Sequence, residues 1–286
     1  MLVNIFCEID DFCKLIEEKS IGSTKKVGRK PKLSASEVLT IAIFFHCSRF
    51  KDFKTYYETM IKGFLRNAFN DVVSYNRFIE LRQKYAMHLI LFSQKRALGR
   101  CNGISIIDSS KLEVCHSRRE YSHKTFKGIA AKGKTSTGWF YGFKLHLVIN
   151  SKGEILSFFI TPGNVADNNK DVLDKLTDNK VYGKLVGDKG YIGGFKRLYS
   201  KGIQLIHRIR KNMKNKLMDL FDKLLLRKRG VIESVIGILK AQYNLENVNF
   251  RSPMSLVVHV CATISAYSFR ENKPAIFKER FIEISA

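Results

Sequence analysis

From about residue 101 the spacing of apolar residues changes from the helical period to the two-residue period of strands. No other feature constrains the fold of this chain more strongly. Within 140–150, for example, Phe143, Leu145 and Leu147 alternate with polar residues. The order predicted from here on is strand, two hairpin strands, helix, strand, helix, strand and helix, at 104–108, 140–150, 154–161, 168–175, 184–188, 195–202, 203–209 and 227–240. This order predicts an α/β domain in which helices pack on a mixed sheet.

The first hundred residues predict helices only. The segment 34–37 (SASE) fits a capping box before an apolar helix, 52–69 has helical spacing, and 74–98 predicts one long helix. A basic run at 25–32 predicts an exposed turn or arm. Short helices flanked by cations suit a DNA-binding module, although a helical cap that only packs on the next domain fits the same pattern. We therefore predict an all-helical N-terminal domain, expected to bind DNA, at 1–99 and an α/β domain at 100–286.

The charge balance indicates the class of partner. The 286 residues include 50 Lys and Arg against 26 Asp and Glu, which gives a formal net charge of +24. A charge of this size attracts polyanions, so nucleic acid is the expected partner.

The cysteines and the apolar runs indicate where in the cell the protein is expected. None of the six cysteines forms a CxxC pair, and they are scattered along the chain as reduced cysteines are in the cytoplasm. The longest apolar runs are too short to span a bilayer, so we expect a cytoplasmic protein with no membrane partner.

Three acidic residues adjoin apolar elements of the predicted α/β domain. Asp108 and Asp188 come directly after short apolar strands, and Glu233 lies in an apolar helix. A carboxylate so close to a core costs free energy unless a partner satisfies it. Three clustered carboxylates would suit Mg²⁺ or Mn²⁺, and two such ions about 4 Å apart can assist displacement at a phosphodiester.

Each acid also has a simpler interpretation. The two aspartates fit turn residues that cap local backbone amides, and Glu233 fits an exposed acid paired with Arg229 or Lys240. Arg229, Glu233, Gly237, Lys240 and Asn244 follow one another at helical spacing and predict a single stripe on the helix. Spacing alone does not bring the three acids together in space.

Combined motifs identify a family that the chain resembles. The spacing of Arg229, Glu233 and Lys240 resembles the signature around the catalytic glutamate of DDE transposases from bacterial insertion sequences. IDSS at 107–110 and VGDKGYIG at 186–193 resemble the family segments that carry the two aspartates. The family context between them, GFKLH at 142–146 and TPGNVADN at 161–168, is also similar. The resemblance covers roughly 100–270 and implies a ribonuclease H-like catalytic domain.

The resemblance implies a role for each matched residue. Asp108, Asp188 and Glu233 would be the catalytic acids and would hold two Mg²⁺ or Mn²⁺ ions, and Gly237 would let the DNA backbone approach closely. The implied DNA contacts are Arg229, Lys240, Lys144, His146 and Lys189.

Two sets of residues keep a second interpretation open. Lys144 and His146 either contact DNA or only line the sheet. Asn164 and Asp167 follow a strand end, where they either orient DNA or stabilise a turn, and the turn is the preferred interpretation.

The signature is incomplete at one position. The fuller family signature has a tyrosine three residues before the arginine, and here that position is Leu226. The role of that tyrosine is therefore missing or falls to another residue, for which Tyr191 and Tyr243 are candidates.

The function expected from the resemblance is metal-dependent cleavage and strand transfer at the ends of an insertion sequence. The partners would be double-stranded DNA, both the terminal inverted repeats of the element and its target, with a dimer or higher oligomer on the DNA. Three alternatives remain: a nuclease with the same site that does not join ends, a catalytically silent DNA-binding repressor derived from a transposase, and an RNA-binding structural protein.

Overall fold

The computed structural model describes residues 1–19, 31–69, 71–135, 138–208, 218–246 and 250–277. The chain divides into two compact units. The helical unit comprises Met1–Ala97 and Leu239–Arg270, and the sheet unit comprises Leu98–Ile238 and the described residues from Glu271 onward. Nearly all of the basic arm expected at 25–32 lies outside the described residues.

The helical unit contains the N-terminal helices and the last helix of the chain. Its helices are α1 (Leu2–Lys19), α2 (Ala35–Cys47), α3 (Phe53–Tyr56), which continues as a π-helix (Tyr57–Phe64), a 3-10 turn (Arg66–Ala68), α4 (Tyr75–Lys84), α5 (Ala86–Lys95) and α10 (Pro253–Ser268). The capping box at the start of α2 is present, because the Glu37 amide donates to the Ser34 hydroxyl while the Ser34 amide donates to the Glu37 carboxylate.

The last helix packs against α2 and α5 and is buried along most of its length. The segment 239–270, assigned from the sequence to the α/β domain, therefore belongs by its contacts to the helical unit. An apolar helix must bury all of its faces, and α2 and α5 supply part of that cover. The division into a DNA-binding and a catalytic domain stays a prediction.

The single helix expected at 74–98 is two helices, and this is a correction. The break falls at Tyr85, whose backbone (φ −95°, ψ 14°) leaves the helical range. Phe78 and Leu81 of α4 join a core with α2, whereas α5 packs on α10. The two halves have different partners, and no glycine or proline marks the break in the sequence.

Two histidines form a buried pair in the helical unit. The rings of His46 and His259 are 4.8 Å apart between centroids, and each ring bonds a backbone carbonyl, of Tyr243 at 2.7 Å and of Asn244 at 2.8 Å. Burial lowers the pKa of His259 to about 4 and the pKa of His46 well below its usual value. Both rings are therefore neutral at pH 7.

Acidification is predicted to weaken the helical unit through this pair. Below about pH 6.5 the unfolded chain binds protons at both rings and the folded chain does not. The free energy of unfolding should therefore fall as pH drops from 6.5 toward 4, by roughly 1–3 kcal/mol between pH 7 and pH 5. Urea unfolding of wild type and of His259→Gln at both pH values measures this difference. A pH dependence as steep in His259→Gln as in wild type would contradict the assignment.

The sheet unit is built on six strands and several helices. The strands are β1 (Ile104–Cys115), β2 (Ala131–Thr135), β3 (Gly138–Asn150), β4 (Ile155–Pro162), β5 (Gly183–Val186) and β6 (Ile203–Ile206). The helices are α6 (Lys170–Thr177), α7 (Phe195–Ser200), α8 (Leu220–Arg227) and α9 (Gly230–Ala241), with 3-10 turns at Ser117–Arg119 and Lys189–Gly194.

The sheet is mixed. Its strand order is β2-β3-β1-β5-β6, and β4 also pairs with β3. Strand β1 is antiparallel to β3 and parallel to β5, β5 is parallel to β6, and β4 is antiparallel to β3. Helices α6 and α7 supply Val172, Leu173 and Leu198 to the core on one face. The predicted α/β class, a mixed sheet with flanking helices after an all-helical segment, is confirmed, and its ribonuclease H-like assignment stays a prediction.

Strand β1 is longer than the sequence indicated. The prediction ended it at Asp108, but pairing with β3 continues as far as Cys115 opposite Tyr141. Buried Leu112 and Val114 alternate with partly exposed polar neighbours, which is the strand period. Helix α8 was also not predicted.

Candidate active site

The sheet register places the two candidate aspartates at the same level. The parallel pairing of β1 with β5 ends at Ile106 opposite Val186, and Asp108 and Asp188 each follow two residues later. Paired strands lie about 4.8 Å apart, so the two acids follow the last paired residues of neighbouring strands at the same level. Asp188 is exposed after the end of its strand, whereas Asp108 lies within β1 and is mostly buried.

Burial governs the charge of Asp108. It raises the pKa of this carboxyl to about 6, against the lowering effects of the Ser109 amide, which donates to Oδ1 at 2.9 Å, and of Arg229. The negative charges of Glu233 and Asp167 raise the pKa further. Glu233 therefore acts on Asp108 electrostatically, although 125 residues separate them in the sequence.

Glu233 lies in the first turn of α9, where the helix dipole favours an acid. Its side chain is 59% exposed, and Arg229 donates to it at 3.1 Å. Lys240 pairs instead with Glu246, at 2.6 Å. These contacts are the ion pairs of a helix surface, so they agree with the simpler interpretation of Glu233, and its catalytic role stays a prediction.

The predicted stripe on this helix is shorter than expected. Helix α9 ends at Ala241, and Asn244 lies beyond it with φ +55°, buried, with its side-chain amide donating to the Phe50 carbonyl at 2.6 Å. Asn244 is therefore not a member of the stripe. Gly237 does lie on it, and a methyl group there would meet nothing within 4 Å. The surface at this point is open.

The remaining predicted DNA contacts differ in accessibility. His146 has no exposed surface, and its Nε2 bonds the Thr161 hydroxyl at 2.9 Å, so the structure favours the sheet-lining alternative over DNA contact. Burial also lowers the pKa of His146 to about 4. Lys144 is 12% exposed and donates to the Val165 carbonyl at 3.0 Å. Lys189, next to Asp188, is exposed.

From the sequence, Asp167 was considered only for a turn or a DNA contact. In the structure it lies at the centre of a partly buried polar cluster. Its Oδ1 accepts from the Ser109 hydroxyl at 2.8 Å and from Lys144 Nζ at 3.3 Å, and lies 3.8 Å from His146 Nδ1. One sequence signal pointed toward this cluster. If the alternation of β1 continues past Asp108, Ser109 faces away from Asp108 and needs a polar partner on the other face of the sheet.

Neither tyrosine proposed to replace the one missing at Leu226 is on the surface. Tyr191 is 1% exposed and Tyr243 is 7% exposed. Within the described part of the chain the Tyr191 hydroxyl has no hydrogen-bond partner, and Ser109 is a polar group beside it. Neither ring can contact DNA in this conformation.

The three acids fit a divalent cation in donor chemistry, since carboxylate oxygens are the ligands that Mg²⁺ and Mn²⁺ prefer. A cation would also relieve the raised pKa of partly buried Asp108, which forms no ion pair with the side chains that the structure describes. Among the described residues no three His, Cys, Asp or Glu side chains already lie close enough to hold a metal ion. The fit of the three acids to a metal ion therefore rests on the chemistry of their oxygen atoms and on the strand register.

Comparison with known proteins identifies the family. The family model for the transposase DDE domain matches residues 98–253, more than half of the chain, and the chain belongs to this family. The match includes all three candidate acids. No curated protein matches the sequence.

Solved structures give only weak likenesses. The Mos1 strand transfer complex is 12% identical, with coverage of 90% of this chain and 85% of that chain and a TM-score of 0.24. The Mos1 mariner paired-end complex with Mn is 10% identical, with coverage of 92% and 88% and a TM-score of 0.21. TM-scores this low do not establish a shared fold or function.

We predict that Asp108→Asn stabilises the metal-free protein. The amide keeps an acceptor for the Ser109 N–H and removes a charge that burial disfavours. The expected gain in the free energy of unfolding near pH 7.5 is on the order of 1–3 kcal/mol. Urea unfolding in the presence of a chelator measures it.

Asp222→Asn is the matched control. Asp222 is a buried acid of the sheet unit that pairs with Lys184, so its neutralisation should lower stability. Equal destabilisation by both substitutions would show that the Asp108 carboxylate is not under electrostatic strain.

Proposed function

We propose that the protein is a transposase that cuts and joins DNA strands with one active site formed by Asp108, Asp188 and Glu233. The observation that supports this proposal is the register of β1 and β5, whose last pair, Ile106 and Val186, lies two residues before each aspartate, with Glu233 among the charges that raise the pKa of Asp108. Membership of the transposase DDE domain family supports it.

The three acids would hold two Mg²⁺ or Mn²⁺ ions. Such ions, when bound, increase the acidity of an attacking water and stabilise the leaving oxygen of a phosphodiester. The residues of the chain would hold and orient these ions. Asp108 would act from a fixed strand, with its carboxylate oriented by the Ser109 amide. Arg229 would exchange its ion pair with Glu233 for a DNA phosphate when Glu233 takes a metal-ligand role.

The reaction would have two steps. In the first, water attacks the phosphodiester at the end of the element, the bond to the 3′ oxygen breaks, and a free 3′-OH remains. In the second, that 3′-OH attacks a phosphodiester of the target, and one phosphodiester replaces another. No external energy source is needed, because the number of phosphodiester bonds is conserved in the second step.

DNA is the proposed partner because of the net charge of +24. Arg229, Lys189 and Lys240 would contact phosphates of the terminal inverted repeats and of the target. Lys144 would act inside the protein, given its low exposure. Joining the two ends of the element requires both ends to be bound at the same time, so a dimer or higher oligomer on DNA is proposed. No helix of the described part of the chain is long and apolar enough to cross a membrane.

Cleavage and joining on a labelled duplex test the proposal. The duplex carries the DNA that flanks the reading frame, with Mg²⁺ or a chelator. Wild type should nick and join strands only with the metal. Glu233→Gln should lose both activities by at least about 10³-fold while it still binds the duplex, because the substitution removes a carboxylate that would hold the metal ions and leaves the phosphate contacts in place.

Asp171→Asn is the control substitution, since Asp171 is also an exposed acid in the first turn of a helix, α6. It should leave both activities within about two-fold of wild type, the range expected of a surface change. Cutting without joining would identify a nuclease instead. Binding without any chemistry in Mg²⁺ or Mn²⁺ would identify a repressor.

A further inference from the structure

The Asp167 side chain connects three elements of the sheet unit. It follows β4 in the chain, yet the hydrogen bonds of its carboxylate go to Ser109 on β1 and to Lys144 on β3. The backbone amides of its own loop bond other atoms, for example Val165 N to the Pro162 carbonyl. The turn-stabilising interpretation therefore does not account for this side chain.

One contact of Asp167 reaches the first candidate metal ligand through a single residue. The Ser109 hydroxyl donates to Asp167 at 2.8 Å, and the Ser109 amide donates to Asp108 Oδ1 at 2.9 Å. Successive residues of a strand point to opposite faces. Asp167 therefore holds β1 from the face opposite to the Asp108 side chain.

A second set of contacts reaches the segment that carries Asp188. Asp167 Oδ2 would lie 3.8 Å from a methyl group placed on Gly190. The Tyr191 amide donates to the Asp188 carbonyl at 3.1 Å, and burial beside Asp167, Asp108 and Asp188 raises the pKa of Tyr191 well above its usual value. The 3-10 turn after Asp188 therefore packs against the Asp167 cluster.

Close packing leaves little freedom between the two segments. A methyl group on Gly187 would come within 3.1 Å of Ile107 and within 3.2 Å of Tyr191. Gly187 precedes Asp188 and Ile107 precedes Asp108. Contacts of this kind transmit a displacement from one backbone to the other, because packed interiors have few voids to absorb it.

We propose that Asp167 is a positioning residue that fixes the separation of Asp108 and Asp188 through Ser109 and the turn at 189–194. The inference rests on the proposed function, since it requires both aspartates to hold metal. Lys144 balances the charge of Asp167 from β3. Groups behind a ligand commonly set metal affinity in this way.

The test is the affinity for Mn²⁺, measured by electron paramagnetic resonance of free Mn²⁺ with the full chain and no DNA. Asp167→Ala should raise the Mn²⁺ dissociation constant about 10-fold or more. Asp222→Ala is the matched control because it also removes an acid paired with a lysine in the sheet unit. It should lower the thermal unfolding midpoint in chelator at least as much, with the Mn²⁺ affinity within about two-fold of wild type.

Ser109→Ala supplies a second variant if Asp167→Ala does not fold. It removes the hydroxyl link and keeps the amide bond to Asp108, and it should weaken Mn²⁺ binding several-fold. In the double variant the Asp167 substitution should add less than its separate effect, because the two residues act in one chain of contacts.

The outcomes separate this inference from the proposed function. An Mn²⁺ affinity that Asp167→Ala and Ser109→Ala leave unchanged, while Asp108→Asn abolishes binding, would overturn the positioning role alone. Equal weakening by Asp167→Ala and Asp222→Ala would also overturn it, as a general effect of lost stability. Absence of Mn²⁺ binding by wild type, or binding that Asp108→Asn does not weaken, would overturn the proposed function and this inference with it.

Discussion

The pairing of β1 with both of its neighbours is the constraint on which the site depends. The antiparallel ladder to β3 fixes Asp108 opposite Leu147, and the parallel ladder to β5 ends just before the two aspartates. A shift of one residue in either register would turn Asp108 to the other face of the sheet. The chemistry proposed here therefore relies on backbone hydrogen bonds more than on contacts among the acids themselves.

The cost of this arrangement falls on Asp108. Burial raises the pKa of its carboxyl to about 6, and the nearest compensation in the metal-free protein is one backbone amide with Arg229 further away. Functional sites commonly keep such unfavourable groups where a ligand later stabilises them. Asp188 and Glu233 are exposed, so burial distinguishes Asp108 from the other two acids.

Much of the fold could be predicted from the sequence because strand and helix periods are local. The strands at 140–150 and 154–161 agree with the structure within a few residues. The break at Tyr85 and the extension of β1 could not be predicted, since each depends on which distant element packs there. The packing of Leu239–Arg270 with the N-terminal helices depends on the same kind of contact.

The same distinction between local pattern and distant contacts applies to the candidate site. The three acids could be identified from motifs, but their arrangement depends on strand register, which the sequence does not state. The burial of His146 and the central place of Asp167 also follow from tertiary contacts. Both residues have the same sequence context as surface residues of a strand and a loop, so pattern alone could not separate an internal role from a DNA contact.

The central claim is that the three acids act on the same metal ions. Iron-directed backbone cleavage tests it most directly, because Fe²⁺ can replace Mg²⁺ at oxygen sites and, with ascorbate and peroxide, cuts the chain close to where it is bound. We predict cuts near residues 108, 188 and 233 together, suppressed by excess Mg²⁺. Cuts near only one of these positions, or none that Mg²⁺ suppresses, would contradict a shared site.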